Sequence, residues 1–327
     1  MSRIDQGTPL IELRHLKKYY KVGGKSRLHA VDDINAEILS GTTLGVVGES
    51  GCGKTTLGRT ILKLIEPTDG EILFEGINIS KLSSRQMLKY RRSMQIIFQD
   101  PYSSLNPRKT VFESIASPLI VNRIYKTPEE MKKRVGEVMD TVGIARRLQN
   151  SYPHELDGGR RQRICIARAL VLEPKFIVCD EPVSALDVSI QAQILNLLMD
   201  LQDNFNLTYL FITHDLSVVR HISDEIMVMY LGSCVEKAPS RELFKNPIHP
   251  YTKALLKAIP IPDISSRTRK IEVVRGELTS PIDPEPGCRF APRCEDCIST
   301  CIGKTMELNE VSPRHFVACP VMEQNRL

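Results

Sequence analysis

Four short, largely apolar runs recur along the chain, and polar residues follow each of them. They are Thr43 to Val47 (TLGVV), Gln95 to Phe98 (QIIF), Phe176 to Cys179 and Tyr209 to Thr213 (YLFIT). Runs of this length are typical of strands buried in a parallel sheet. Between the last two runs, Ile190 to Leu201 has the apolar spacing of an amphipathic helix packed on a sheet. The pattern predicts an α/β fold built on a parallel sheet.

Other parts of the chain have different patterns. Before Gly41, the segments IELRHLKKYY and LHAVDDINAEI alternate apolar and polar residues, which predicts half-buried antiparallel strands. From about Thr110 to Asn150 the chain is charged and helix-rich, and we predict a helical subdomain over about 100–170. Past about Ala258 it becomes rich in proline and loses periodicity. We therefore predict two domains, 1–258 and 259–327.

Composition narrows the class of protein. The chain has 327 residues, of which 42% are apolar, enough for one large domain and a smaller one. No uncharged apolar run approaches the roughly eighteen residues needed to cross a bilayer, and the N-terminus lacks the apolar region of a secretory signal. We expect the chain to stay in the cytosol unless a partner holds it at a membrane. A net charge of +5 is too mild to indicate nucleic-acid binding.

A glycine-rich loop follows the first buried run. The stretch GESGCGKTT matches G-x-x-x-x-G-K-[ST] and precedes the helix-like TLGRTILKLI. Its backbone N–H groups and the helix N-terminus would surround phosphates, Lys54 would reach the terminal ones, and the Thr55 hydroxyl would bind Mg²⁺. The predicted phosphate-binding residues are Gly48, Glu49, Ser50, Gly51, Cys52, Gly53, Lys54, Thr55 and Thr56.

Polar side chains follow three of the buried runs. Asp180 ends FIVCD and suits Mg²⁺, and Glu181 comes next as the natural general base for an attacking water. His214 follows YLFIT and could contact the γ-phosphate, and Gln99 follows QIIF and could reach Mg²⁺ and the water. Because ligands bind at the carboxyl ends of strands in open α/β sheets, these four residues should meet.

These motifs resemble the ATP-binding subunits of ABC transporters, and within them the peptide/nickel importer group. The resemblance covers nearly the whole chain, including DPYSSLNPR after Gln99, the stretch DEPVSALDVSIQAQIL, and FKNPIHPYTKALL near the end. It implies a P-loop NTPase fold with an antiparallel β subdomain, a helical subdomain and a small irregular cysteine-rich C-terminal domain. It also implies ATP and Mg²⁺ as ligands.

The resemblance assigns roles to individual positions. Gly48 to Thr56 corresponds to Walker A, Gln99 to the Q-loop, Asp180 and Glu181 to Walker B and the catalytic base, Ser184 to Asp187 to the D-loop, and His214 to the switch histidine. Tyr20 corresponds to the aromatic residue that stacks on adenine. Its neighbour Tyr19 is a competing choice.

In this family two ATPase subunits close head to tail, and the signature of one completes the Walker A site of the other. The usual LSGGQ reads LDGGR here, with Asp157 for Ser, followed by Gly158 and Gly159, and Arg160 for Gln. An ionised Asp157 cannot donate to the γ-phosphate and would repel it by roughly 4 kcal/mol at about 4 Å and an effective dielectric of ~20. Alternatively, Asp157 is simply a helix N-cap, or Arg160 neutralises it. The substitution favours a heterodimer with a second, non-identical ATPase.

Five of the nine cysteines fall in the last forty residues. In a chain without an export signal this clustering indicates a metal site rather than disulfides, and soft thiolates suit iron–sulfur or zinc. Cys288, Cys294, Cys301 and Cys319 resemble the four-cysteine tail of peptide-importer ATPases, which implies a [4Fe–4S] cluster with a structural or redox-sensing role. Cys297 is extra, and the spacing of Cys294 and Cys297 also suits zinc.

The predicted function is that of an ATP-hydrolysing subunit, peripheral on the cytoplasmic face of the cell membrane, that powers import of dipeptides or oligopeptides. The implied partners are a second ATPase, two transmembrane permease subunits and, indirectly, an extracytoplasmic substrate-binding protein, with no nucleic acid. Nickel, glutathione or sugars are alternative cargoes. A soluble ABC ATPase acting on nucleic acid or ribosomes, or a protein with mainly redox chemistry, is a rival interpretation.

Overall fold

Two β-sheets organise the chain, and the computed structural model describes residues 9–258 and 280–320. A four-stranded antiparallel sheet has the order β2-β1-β4-β5, and an eight-stranded sheet has the order β11-β12-β10-β9-β3-β8-β7-β6. The strands are β1 (Pro9–Lys21), β2 (Arg27–Leu39), β3 (Thr43–Val47), β4 (Asp69–Phe74), β5 (Ile77–Asn78), β6 (Met94–Ile97), β7 (Phe176–Asp180), β8 (Thr208–Ile212), β9 (Glu225–Tyr230), β10 (Ser233–Pro239), β11 (Asn309–Ser312) and β12 (His315–Val317).

The middle of the large sheet is parallel, as the apolar runs predict. β3 lies between β8 and β9 and pairs in parallel with both, and β7 lies between β6 and β8. Every residue of β3, β7 and β8 is buried. β3 has its predicted bounds, whereas β6 and β8 begin and end one residue earlier than predicted and β7 extends one residue further, to Asp180. The carboxyl ends of these strands meet at one edge, where the candidate site lies.

The two alternating segments near the N-terminus form the antiparallel pair β1 and β2, as predicted. Their buried side chains, together with those of β4, pack on one face of the large sheet in a single apolar cluster. The polar positions of both strands face outward. The alternation of apolar and polar residues in the sequence therefore corresponds to one buried face and one exposed face of each strand.

Helices cover both sheets. The helices are α1 (Lys54–Ile61), α2 (Ser84–Arg91), α3 (Pro101–Ser104), α4 (Val111–Val121), α5 (Pro128–Thr141), α6 (Gly158–Leu170), α7 (Val188–Phe205), α8 (Leu216–Ile222), α9 (Ser240–Lys245) and α10 (Pro250–Lys257). α7 contains the predicted crossover helix and extends beyond it at both ends. It stops at Asn206, whose φ of 51° is the left-handed conformation common at helix C-termini. Helices α3 to α6 occupy the predicted helical region.

The C-terminal residues extend the large sheet. β12 pairs with the edge of β10 through Glu236 and Val317, and β11 pairs with β12. The buried Glu236 carboxylate accepts hydrogen bonds from the backbone N–H groups of Ile248 and His249, at 2.9 and 3.0 Å, and lies 2.7 Å from His315 Nε2. This carboxylate therefore joins β10, the start of α10 and β12. The proline-rich stretch at the predicted domain boundary, 259–266, lies outside the described residues.

Candidate functional site

The glycine-rich loop connects β3 to α1 and has no room for side chains at two of its glycines. Gly53 has φ +102°, and a Cβ atom there would lie 1.9 Å from the backbone oxygen of Ala30. A Cβ at Gly48, at φ +152°, would lie 2.2 Å from the backbone oxygen of Met229. Since L-residues rarely adopt such φ values and both neighbours are backbone atoms, only glycine fits. These glycines place the loop directly over β2 and β9.

The Lys54 side chain is buried against the first residues of the glycine-rich loop. Its Nζ donates to the backbone oxygens of Gly48, at 2.8 Å, and Glu49, at 2.9 Å. The side chain is the first of α1, so the ammonium group and the N-terminal N–H groups of α1 face the same space. This arrangement concentrates positive charge where phosphates would bind.

Thr55 and Asp180 meet across two elements. The Thr55 hydroxyl donates to Asp180 Oδ1 at 2.7 Å, and an Arg59 nitrogen lies 3.8 Å from Asp180 Oδ2. Burial raises the pKa of Asp180 above its usual range, although the Thr55 hydrogen bond and the Arg59 charge act in the opposite direction. A hydroxyl and a carboxylate oxygen at this distance are the hard ligands that Mg²⁺ prefers, so this pair fits the ion chemically.

Glu181 lies directly after β7 and is held by two side chains from neighbouring strands. Its carboxylate accepts a hydrogen bond from Gln99 Nε2 at 2.9 Å and lies 3.2 Å from His214 Nδ1. Its backbone has φ +48°, and its N–H donates to the oxygen of Ile212 at 3.0 Å. Strained conformations of this kind are retained at functional sites. The structure therefore brings together Gln99, Glu181 and His214, which the sequence predicts to converge.

A cavity of about 560 Å³ lies between the loop and these side chains. Ser50, Gly51, Gly53, Lys54, Thr55, Thr56, Gln99, Glu181 and His214 line it together with Tyr20. Gly48, Glu49 and Cys52 belong to the same loop but do not line the cavity. His29 and Pro281 are not predicted from the sequence, but they also contribute to the wall and are joined by a 2.9 Å backbone hydrogen bond. No local motif marks either residue.

The two adjacent tyrosines have different environments. Tyr20 lines the cavity. Tyr19 stacks on the His29 ring with centroids 3.9 Å apart, and its hydroxyl donates to Asp32, so this side chain is already engaged in protein contacts. Of the two candidates, only Tyr20 lines the cavity into which a base could stack.

The signature residues lie away from this cavity, at the start of α6. Asp157 is the N-cap and accepts a hydrogen bond from the Arg160 backbone N–H at 2.7 Å. The Arg160 guanidinium lies 3.4 Å from the same carboxylate, and the Asp157 side chain is 59% exposed. Gly158 is the first residue of α6, and a Cβ at Gly159 would lie 2.8 Å from the Ile190 side chain. Asp157 thus has both the capping role and the basic neighbour considered from the sequence.

The stretch Ser184 to Asp187 follows closely after β7 and Glu181. The Ser184 hydroxyl donates to the Glu181 backbone oxygen at 3.1 Å, and Asp187 is the N-cap of α7. This segment therefore connects Glu181 to the start of α7. Its residues do not line the cavity.

The C-terminal cysteines lie near one another. The Cys288 backbone N–H donates to the Cys301 oxygen at 2.8 Å. Burial, together with the nearby Cys301, Cys319 and Cys294, raises the pKa of the Cys288 thiol to about 11. Cys297 is exposed. Within residues 9–258 and 280–320, however, no three Cys, His, Asp or Glu side chains form a group that could hold a metal ion.

Two known families match parts of the chain. The model of the ABC transporter family matches residues 31–184, which include the glycine-rich loop, Gln99 and Glu181. The model of the oligopeptide/dipeptide transporter C-terminal region matches residues 235–301. No helix in the described part of the chain is long and apolar enough to span a membrane.

Individual relatives cover almost the full length. The oligopeptide transport ATP-binding protein OppF of Bacillus subtilis is 50% identical over 96% of this chain and 97% of the relative. The putative oligopeptide transport ATP-binding protein YkfD of the same organism is 48% identical over 95% of both chains. A putative peptide import ATP-binding protein of Brucella ovis is 49% identical over 95% of this chain and 98% of the relative.

Solved structures share the fold of the larger part. CbiO1 of Clostridium perfringens, part of an ABC transporter complex, matches with a TM-score of 0.65 and 29% identity over 73% of this chain and 91% of CbiO1. The cassette MJ0796, solved as a dimer in a post-hydrolysis state with ADP and Pi, matches with a TM-score of 0.64 and 31% identity over 71% of this chain and 99% of the cassette. The chain therefore belongs to the ABC ATPases, in the family of oligopeptide and dipeptide transporter ATP-binding proteins.

Proposed function

We propose that this ATPase powers the import of dipeptides or oligopeptides and that its own cavity binds the ATP. The observation that carries the proposal is the convergence of Gln99 and His214 on the Glu181 carboxylate, opposite Lys54 and Thr55. The names of the relatives support peptides as the cargo. ATP-driven uptake of a labelled dipeptide by the assembled complex tests the cargo, and uptake of Ni²⁺ alone would contradict it.

Each side chain has a defined task in hydrolysis. Lys54 and the N–H groups at the start of α1 bind the phosphates, and Tyr20 stacks on the base. Thr55 and Asp180 would hold Mg²⁺, which would supply positive charge to neutralise the phosphates. Glu181 accepts the proton of the attacking water, while Gln99 and His214 fix the orientation of its carboxylate. In this proposal, catalysis results mainly from the positioning of the reacting groups and from electrostatic stabilisation of the phosphates.

A second ATPase subunit completes the active site in this proposal. Asp157, Gly158 and Gly159 start a helix remote from the cavity, as expected if they face the ATP of a partner. The solved dimer of a related cassette supports such pairing. We propose that Asp157 weakens the donated half-site and that the partner is therefore a non-identical ATPase. Two permease subunits would hold the pair at the cytoplasmic face of the membrane, and a substrate-binding protein would deliver the peptide.

Replacing Asp157 by serine in the assembled complex is expected to raise ATP hydrolysis by about five-fold. Asp157 is 59% exposed and lies beside Arg160, so its repulsion of a phosphate about 4 Å away is screened to about 1 kcal/mol. Serine keeps the N-cap, so α6 should be unaffected. Steady-state phosphate release measures the effect. An unchanged rate would leave Asp157 as a cap only and would remove the argument for a non-identical partner.

We propose that Cys288, Cys294, Cys301 and Cys319 bind a [4Fe–4S] cluster, with zinc as the alternative metal. The four thiols neighbour one another and are soft ligands, so they fit either metal chemically. The role would be to stabilise the C-terminal domain, which we propose extends over 259–327 beyond an ATPase domain of 1–258. Iron and sulfide analysis after anaerobic purification tests the metal. Colourless protein with one zinc per chain would overturn the cluster.

A further inference from the structure

The glycine-rich loop is held from the C-terminal part of the chain as well as by its own helix. Glu49, its second residue, has a carboxylate that accepts two hydrogen bonds from the Arg293 guanidinium, at 2.9 and 3.2 Å. The Glu49 backbone N–H donates to the Tyr251 hydroxyl at 2.9 Å. Glu49 therefore binds one residue of α10 and one residue of the cysteine-rich segment, through different groups.

Arg293 is itself fixed by its surroundings. Its side chain is 6% exposed, and it donates to the Tyr230 hydroxyl at 3.2 Å. Beneath it, Tyr230, Tyr251 and Phe290 are all buried and pack with ring centroids 4.7 to 5.4 Å apart. A guanidinium in this setting binds a carboxylate in a fixed, bidentate geometry that the single ammonium group of lysine could not reproduce.

A second arginine of the same segment, Arg289, contacts a residue of the cavity wall. Arg289 donates to the Leu231 backbone oxygen and to Asp32, which also accepts from the Tyr19 hydroxyl. Leu231 lines the cavity, and so does His29, which stacks on Tyr19. Arg293 thus contacts the glycine-rich loop through Glu49, and Arg289 contacts the cavity wall through Leu231.

We infer that Arg293 is a positioning residue of the ATP site, which fixes the glycine-rich loop by holding the Glu49 carboxylate. This inference rests on the proposed binding of ATP in the cavity. Arg293 does not line the cavity and takes no part in the chemistry. Its contribution is to keep Glu49, and with it the oxygens that contact Lys54, in the conformation that receives phosphates. The affinity for ATP therefore depends on the C-terminal segment.

Arg293→Gln is expected to weaken the binding of a fluorescent ATP analogue to the full-length chain by about ten-fold, a typical size for coupling between distinct sites. In the assembled complex, KM for ATP should rise with kcat changed less than about two-fold, since the loop affects ground state and transition state alike. Arg293→Lys retains the charge but loses the bidentate geometry, so it should lose less affinity for the ATP analogue than Arg293→Gln does. Glu49→Gln should reproduce the effect of Arg293→Gln.

The double variant distinguishes positioning from general destabilisation. Because both residues act through one contact, Glu49→Gln with Arg293→Gln should bind ATP no more weakly than either single variant. The matched control is Arg314→Gln. Arg314 is another C-terminal arginine, and it pairs at 2.8 Å with Glu225 at the opposite end of β9 from Tyr230. It should leave ATP affinity unchanged. The iron and zinc contents and the thermal unfolding temperature of each variant are measured, to exclude loss of metal or of the fold.

Unchanged affinity in Arg293→Gln, or losses in the two single variants that add fully in the double, would overturn the inference. If Lys54→Ala abolishes binding at the same time, the proposed ATP site stands. If Lys54→Ala also binds like the unaltered chain, the proposed site itself fails, and the inference fails with it.

Discussion

Glu181→Gln is expected to reduce ATP hydrolysis by about 10²- to 10⁴-fold, the usual contribution of a positioned general base. Glutamine retains the volume of the side chain and can still hydrogen-bond with Gln99 and His214, but it cannot accept the proton of water. Lys54 and the glycine-rich loop are untouched, so binding of a fluorescent ATP analogue should stay within about two-fold. Phosphate release under saturating ATP and equilibrium titration measure the two effects separately.

The control is Glu173→Gln, which removes an equal charge at a site remote from the cavity. Glu173 is 75% exposed and pairs at 3.0 Å with Arg134, so its loss should not change turnover. If Glu181→Gln retained more than about a tenth of the rate, another group would have to deprotonate the water, and the proposed roles of Gln99 and His214 would fail as well.

Gly53→Ala is expected to destabilise the protein by about 2–4 kcal/mol, in the range of substitutions that force backbone strain and overlap. The new methyl group would lie 1.9 Å from the Ala30 oxygen, and neither atom can rotate away, because the backbone fixes the position of a Cβ and the oxygen is itself a backbone atom. The loop must therefore shift off β2, and phosphate binding should be lost with it. Urea denaturation gives the change in the free energy of unfolding, and titration with the ATP analogue gives the change in affinity.

The variant Gly51→Ala distinguishes the effect of steric overlap from that of backbone strain. Gly51 has φ +78°, also left-handed, but a Cβ there meets nothing within 4 Å. Its cost should be limited to about 1–2 kcal/mol of conformational strain. Equal destabilisation by the two substitutions would mean that the contact with Ala30 is unimportant.

The sequence predicts the buried elements well because their patterns are strong and local. β3 and β7 are continuous apolar runs, and Asp180 marks the end of a strand by its charge. The hairpin of β11 and β12 is not predicted, since its first strand is mostly exposed and has little apolar patterning. It forms because β10 offers an open edge, which is a tertiary property.

Some residues of the candidate site can likewise be predicted from local motifs, whereas others depend on tertiary contacts. Lys54, Thr55, Asp180 and Glu181 follow from motifs in which spacing and chemistry coincide. The choice between Tyr19 and Tyr20 depends on a contact with His29 that alternation along a strand does not reveal. The contact of Arg293 with Glu49 joins residues 244 positions apart, and no local pattern encodes such a pair.

That separation has a consequence for synthesis of the protein. A ribosome adds about 5–20 residues per second, so the glycine-rich loop emerges roughly 12–50 seconds before the arginine that holds it. During that interval the nascent chain carries a complete nucleotide motif without its C-terminal support. Full affinity for ATP would then arise only when nearly the whole subunit has been made, which would delay nucleotide capture until the chain can join its partners.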